Sequence, residues 1–218
     1  VDAPPDKENS RAFVTIAETF RKEGVKVPLI HKLDFKQGFL CISDFGDTLL
    51  WSKLKQAQEL TANEKGATHI YQEAFKELLL IQKVSTAKLP LFSEKLLQQE
   101  MKLFQHWFCE GILKLTLSDK DKFTLSLVFD NLSRSALSQD QLCVHRDYHS
   151  RNLLHLVTSA TNESSIGVID FQDAVKGPAT YDLVSLLKDC YIAWPLSQVR
   201  SWALEYRELA VEQNIFNI

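Results

Sequence analysis

The run His145-Arg146-Asp147-Tyr148-His149-Ser150-Arg151-Asn152 places a carboxylate and a side-chain amide five positions apart behind a histidine. A second acid, Asp170, follows in Ile169-Asp170-Phe171, after the strand-like Ile166-Gly167-Val168. Phosphoryl transfer from ATP needs these parts: a carboxylate to take or orient the acceptor hydroxyl, oxygen ligands for Mg²⁺ against the phosphates, and donors that balance developing charge. The pattern H-R-D-x-x-x-x-N supplies the base and one metal ligand on a single loop. Four intervening residues let the chain turn, so that Asp147 faces the hydroxyl and Asn152 the metal. Asp170, at a strand end, offers Mg²⁺ a hard, charged oxygen. An isolated H-R-D is weak, and an Asp at a strand end is often a helix cap. The Asn at the right offset, with the Asp-Phe strand end following at hairpin distance, is far more specific.

Two other readings compete for the same letters. His145, Asp147 and His149 alternate, so on a strand they would share one face, as the metal ligands of a hydrolase do. The remaining histidines, His31, His69, His106 and His155, add no cluster that would complete such a shell. Asp44-Phe45-Gly46 matches the metal-binding tripeptide of protein kinases letter for letter, but it precedes the catalytic loop instead of following it. The metal role therefore falls to Asp170, with Phe171 and Gln172 as its neighbours. Asp44-Phe45-Gly46 lies where strands give way to helices, a position suited to a hinge whose backbone holds adenine.

The elements that must position these residues follow from periodicity. Arg11 to Glu23 reads as an amphipathic helix with Phe13, Ile16, Ala17 and Phe20 on one stripe, ended by Gly24. Val27 to Ile30 and Gly38 to Ile42 read as short strands with a turn at Lys36-Gln37-Gly38. Helices are expected over Trp51–Leu60, His69–Val84, Ser93–Phe108 with Ser93 as N-cap, and Lys120–Leu137. Strands return at Leu142–His145, Asn152–Leu156 and Ile166–Phe171, with a polar hairpin-like loop from Thr158 to Ser165. Helices over Tyr181–Tyr191 and Ser197–Glu212 follow. This order predicts an α+β arrangement rather than regular βαβ alternation, with a boundary near residue 46.

The chain has 218 residues, of which 45% are hydrophobic and 24% charged, enough to bury a real core. The net charge of -3 gives no general attraction to polyanions, so neither nucleic acid nor a membrane is an expected partner. Cys41, Cys109, Cys143 and Cys190 are widely spaced, which predicts buried thiols in a reducing cytosol rather than a zinc site or disulfide framework. No apolar run approaches the roughly 20 residues that span a bilayer.

His145-x-Asp147-x-His149-x-x-Asn152 followed by Ile169-Asp170-Phe171 resembles the aminoglycoside phosphotransferase and choline kinase superfamily. The His two places after Asp147 favours that group over protein kinases. Val1-Asp2-Ala3-Pro4-Pro5-Asp6-Lys7-Glu8, Gly38-Phe39-Leu40 with Asp44-Phe45-Gly46-Asp47, and Ile169 to Ala174 continuing through Gly177-Pro178 and Tyr181 to Tyr191 are similar to one branch. That branch phosphorylates the anomeric hydroxyl of N-acetylmuramate and N-acetylglucosamine in bacterial cell-wall recycling. The resemblance implies a protein-kinase-like fold. Residues 1–45 would be part of an N-terminal nucleotide lobe and hinge, and residues 46–218 a mainly helical catalytic and substrate lobe with small hairpins.

It also implies roles. Asp147 would be the base, with ATP and Mg²⁺ as cofactors. Asn152 and Asp170 would bind the metal, and Ser43, Asp44 and Phe45 would offer hinge contacts to adenine. His145 and Asp182 would brace the loop. His149, Arg151, Gln172 and Asp173 would face a small amino-sugar substrate in the cytoplasm. Arg151 stands where many relatives carry a small residue, and suits a phosphate or a sugar carboxylate as well as a surface ion pair. Asp173 suits a helix cap as well as a sugar hydroxyl. The seven glycines contain no G-x-G, so the phosphate-cradling loop of the family has no counterpart here. Together with the opening at Val1 and the end at Asn217-Ile218, this predicts a chain truncated at both ends and weak in ATP turnover by itself. Another small hydroxyl compound (an aminoglycoside, choline or homoserine) is the alternative acceptor, and a non-catalytic module on the same fold the alternative role.

Overall fold

The computed structural model describes residues 1–5, 9–60, 64–157 and 164–216. The first helix, α1 (Ser10–Lys22), is capped by the Asn9 side chain, which accepts from the Ala12 N–H. It buries Ile16, Ala17 and Phe20 and ends at Gly24 with φ +87°. A hairpin of β1 (Ile30–Asp34) and β2 (Phe39–Ile42) follows. The expected strand at Val27–Ile30 is displaced toward the C-terminus because Val25 and Val27 are buried and the Lys26 backbone is already engaged. Its N–H donates to Glu77 Oε1 at 2.5 Å and its carbonyl accepts from Val168 N–H at 2.8 Å. At the hairpin turn Gly38 has φ +78°, and a Cβ there would lie 2.2 Å from the Ala3 carbonyl oxygen, so only glycine lets the N-terminal residues lie against β2.

Helices α2 (Leu50–Glu59) and α3 (Glu64–Lys83) come next. Tyr71, Ala74, Phe75, Leu78, Leu79 and Ile81 are all buried, the pattern of a helix surrounded by protein. α4 (Glu94–Leu103) starts at the expected Ser93 cap, but the helix then widens into a π-helix over Phe104–Ile112. Gly111 lies in that segment, where a Cβ would come within 3.3 Å of the His106 carbonyl five residues back. α5 (Asp119–Leu137) begins with a Ser118/Asp121 capping box.

Among the described residues the strands form three two-stranded antiparallel sheets. β3 (Gln141–Val144) pairs with β6 (Val175–Pro178), and β4 (Leu153–Val157) with β5 (Ser164–Val168). Of the expected loop from Thr158 to Ser165, residues 158–163 lie outside the described residues, and Ser164 and Ser165 belong to β5. β6 has no counterpart in the periodicity reading, because Gly177-Pro178 reads as turn chemistry. α6 (Tyr181–Leu187) is shorter than expected, since Asp189 accepts from the Tyr191 N–H at 2.8 Å and turns the chain. α7 (Leu196–Glu212) follows.

The architecture is α+β with small hairpins set among helices, as expected. One apolar core runs from Ile16, Phe20 and Val27 through Leu54, Phe75 and Leu78 to Phe171, Leu186, Trp202 and Tyr206. All four cysteines are free. Cys109 and Cys143 are buried, but Cys41 and Cys190 are exposed, Cys41 because it alternates with the buried Leu40 along β2. Among the described residues no helix is long and apolar enough to cross a membrane.

Candidate active site

The loop 145–152 joins β3 to β4, and Asp170 leaves β5 two residues after the strand ends. Pairing of β4 with β5 therefore sets Asn152 beside Asp170. The Ile169 N–H donates to the Asn152 carbonyl at 3.1 Å, and Asn152 Nδ2 donates to Asp170 Oδ2 at 3.3 Å and to the Asp147 carbonyl at 3.1 Å. The amide nitrogen is thus directed at protein oxygens, and Asn152 Oδ1 stays uncommitted among the described residues. Asp170 has φ +64°, a left-handed conformation that Asp tolerates better than most residues.

Two buried aspartates hold the loop. Asp182, on α6, accepts from the His145 N–H at 2.7 Å and the Arg146 N–H at 3.0 Å. Those bonds fix Arg146 at φ +80°, a strained backbone that persists only where its surroundings determine it. Asp189 accepts from the Ser150 N–H at 2.9 Å. The His145 ring is fully buried. The Asp147 N–H can only donate, so Nδ1 accepts it at 3.2 Å, and the proton sits on Nε2, which donates to the Ile169 carbonyl at 3.0 Å. Both ring nitrogens are committed inward, so the three alternating side chains do not form the ligand face of a hydrolase. Among the described residues no group of three or more His, Cys, Asp or Glu could hold a metal ion.

The Asp147 carboxyl reaches the surface, and its pKa is raised, first by partial burial and then by the negative charge of Asp170, while His149 and Arg146 oppose the rise. Two carboxylates with a free amide oxygen beside them form a donor set of hard oxygens suited to Mg²⁺, which would also relieve their repulsion. Arg146 pairs with Glu100 at 2.7 Å, and Glu100 accepts from the Tyr181 hydroxyl at 2.9 Å.

A cavity of about 460 Å³ contains Asn152, Asp170 and Gln172 together with Phe13 of α1 and Leu40 and Ile42 of β2. Gln172 donates to Asp170 Oδ1 at 2.8 Å. Gln172 and Asp173 also line a neighbouring cleft of about 850 Å³ with Arg146 and Leu96. The residues expected at a hinge lie elsewhere: Ser43 and Phe45 line a separate cavity of about 330 Å³ with Val27, Leu29 and Leu156. The Ser43 N–H donates to the Leu29 carbonyl at 2.8 Å, and Asp44 Oδ1 accepts from the Gly46 N–H at 2.8 Å. Among the described residues no bond is made by the Ser43 carbonyl or the Phe45 N–H. The His149 Nε2 lies 3.5 Å from Asn152 Nδ2, and His149 and Arg151 both sit against aromatic rings.

Several supporting residues escape the sequence reading. Asp189 supports the loop at Ser150 and Glu100 holds Arg146, yet nothing in the local sequence of either acid marks a distant partner. Trp51 and Tyr191, the rings beside Arg151, lie far from it in the chain.

The model of the phosphotransferase enzyme family matches residues 2–212. The N-acetylmuramate/N-acetylglucosamine kinase of Pseudomonas putida is 39% identical over 211 residues, covering 96% of this chain and 58% of the relative. The protein of the same name from Neisseria meningitidis is 34% identical, covering 96% of this chain and 60% of the relative. The chain thus spans about three fifths of the length of these relatives. Among solved structures, ADP-bound aminoglycoside phosphotransferase APH(2'')-Ib superposes with a TM-score of 0.63 at 17% identity, covering 93% of this chain and 68% of that one. A choline/ethanolamine kinase family protein from Mesorhizobium loti gives 0.59 at 14% identity, with coverage of 92% and 60%.

Proposed function

The chain belongs to the phosphotransferase enzyme family, and from that premise we propose that it is an ATP-dependent kinase for the anomeric hydroxyl of N-acetylmuramate and N-acetylglucosamine. The observation that carries the reading is the contact of Asn152 with both Asp170 and the Asp147 backbone, which gathers a base and two oxygen ligands at one point. The relatives' names supply the acceptor.

Asp147 takes the proton of the anomeric hydroxyl as its oxygen attacks the γ-phosphorus, and ADP leaves. Its raised pKa makes it a stronger base than a free carboxylate. Asp170 and Asn152 would hold Mg²⁺, which when bound neutralises charge on the phosphate oxygens. Gln172 fixes the Asp170 carboxylate, and Asp182 and His145 keep the loop in register. The Ser43 carbonyl and Phe45 N–H are the uncommitted hinge groups we assign to adenine. In this division residues 1–45 serve the nucleotide and residues 46–218 the acceptor, and the reaction belongs to peptidoglycan recycling in the cytoplasm.

The test is ADP release by the full-length protein with ATP and Mg²⁺ against N-acetylmuramate, N-acetylglucosamine, kanamycin and choline. Turnover of the two sugars, lowered on the order of 10²- to 10⁴-fold in Asp147→Asn, is expected. Preference for kanamycin or choline overturns the acceptor, and undiminished turnover in Asp147→Asn removes the base.

A further inference from the structure

Arg151 is exposed, yet its guanidinium is held. It lies 4.1 Å from the centroid of the Tyr191 ring and 5.4 Å from that of Trp51. Both rings are fixed by the loop they flank. The Trp51 N–H donates to the Ser150 carbonyl at 3.0 Å, and its indole Nε1 donates to the Tyr191 carbonyl at 3.2 Å. The Tyr191 N–H is tied to the buried Asp189, which also accepts from Ser150. The Arg151 N–H donates to His149 Nδ1 at 3.3 Å, and the His149 ring meets Tyr191 edge-on at 5.4 Å. Three segments of chain thus converge to seat one cation next to the loop that carries Asp147 and Asn152.

Among the described residues no carboxylate pairs with this guanidinium, in contrast to Arg146, which Glu100 already occupies. Cation–π contact with two rings uses none of the guanidinium N–H donors, and such a fork can grip a carboxylate in bidentate fashion. It also removes most of the rotamer freedom that an exposed arginine would lose on binding.

We propose that Arg151, seated between Trp51 and Tyr191, is a carboxylate-reading specificity residue that favours amino sugars bearing an acidic ether arm. This rests on the acceptor reading above. Its two sugars differ in such an arm: N-acetylmuramate carries a lactyl carboxylate, and N-acetylglucosamine a hydroxyl in its place. One stacked arginine would then tell them apart, while Asp147, Asn152 and Asp170 treat their anomeric hydroxyls alike.

The experiment measures kcat/KM for both sugars in the full-length wild type, Arg151→Gln and Arg151→Lys, with melting temperatures to confirm folding and calorimetric titration of each sugar. Arg151→Gln is expected to lower the ratio of N-acetylmuramate to N-acetylglucosamine specificity about ten- to a hundredfold, and calorimetric affinity for N-acetylmuramate with it. Arg151→Lys should recover part of the ratio, since a point charge remains without the fork. An unchanged ratio overturns the inference, whether both sugars hold or fall together. An equal fall with a raised KM for ATP assigns Arg151 to the nucleotide phosphates instead. A wild type that phosphorylates neither sugar overturns the acceptor reading and this inference with it.

Discussion

Asp182 on α6 accepts from the loop residue His145, and burial shifts the two side chains in opposite senses. Burial pushes the Asp182 carboxyl up to about 7, against the two N–H groups it accepts, and burial pushes the His145 imidazole down to about 4. Between about pH 4 and pH 7 the folded chain keeps a proton on Asp182 that the unfolded chain has lost, so this contribution to stability falls as pH rises. Between about pH 4 and 6.5 the unfolded chain binds a proton on His145 that the folded chain refuses, so that contribution rises with pH. The two slopes oppose each other. Asp182→Asn removes only the first and loses one of two backbone acceptors, with an expected cost of about 1–3 kcal/mol. That cost should be larger at pH 5 than at pH 7, by about 1 kcal/mol per pH unit, and urea midpoints of the two proteins at both pH values check it. Asp147, Asn152 and Asp170 were legible as letters because one loop and one strand end carry them in fixed order. Asp189 and Trp51 were not, because their partners lie 39 and 140 residues away and only the folded chain brings them together.

At the scale of elements, the hairpin β4–β5 does more than place Asp170. Its Gly167 lies under Phe45, and a Cβ there would stand 2.6 Å from the Phe45 ring and 3.1 Å from Leu156 Cδ1. Gly167→Ala must therefore push Phe45 aside, with an expected loss of about 1–3 kcal/mol in thermal or urea unfolding. If Phe45 belongs to the adenine site, the KM for ATP should rise more than that for the sugar. The long helices were read well, since burial of one stripe or of all sides leaves a strong period. Of the short strands, β2, β3, β4 and β5 overlap those read from the sequence, while β1 is displaced and β6 was missed. β6 hides in Val175-Lys176-Gly177-Pro178, where composition signals a turn and only pairing with β3 makes a strand. The segment before β1 looked like a strand because Val27, Leu29 and Ile30 are apolar, but Val27 is apolar to reach the core, while Glu77 and Val168 take the backbone of Lys26 beside it.

The whole molecule presents one uneven surface. Along α4, the π-helix and α5, the side chains of Phe104, Trp107, Phe108, Ile112, Phe123 and Leu132 are exposed, with Phe104 and Phe108 stacked at 5.4 Å. An apolar face of this size favours association. The purified chain should show concentration-dependent self-association in light scattering and should bind a hydrophobic dye, both reduced in Trp107→Lys combined with Ile112→Lys. Net charge and composition could not foretell this, because helical periodicity marks a stripe as apolar without saying what covers it. The left-handed backbone of Asp170 has a consequence on a longer timescale. Asn adopts the same φ readily and removes one of two repelling carboxylates, which offsets part of the loss of an acceptor for Asn152 or Gln172, so Asp170→Asn should melt close to the parent while phosphoryl transfer collapses. At this position selection for foldedness and selection for turnover pull apart. A lineage relieved of the second can drift into a silent pseudoenzyme in one step, with only a small barrier in stability to hold it back.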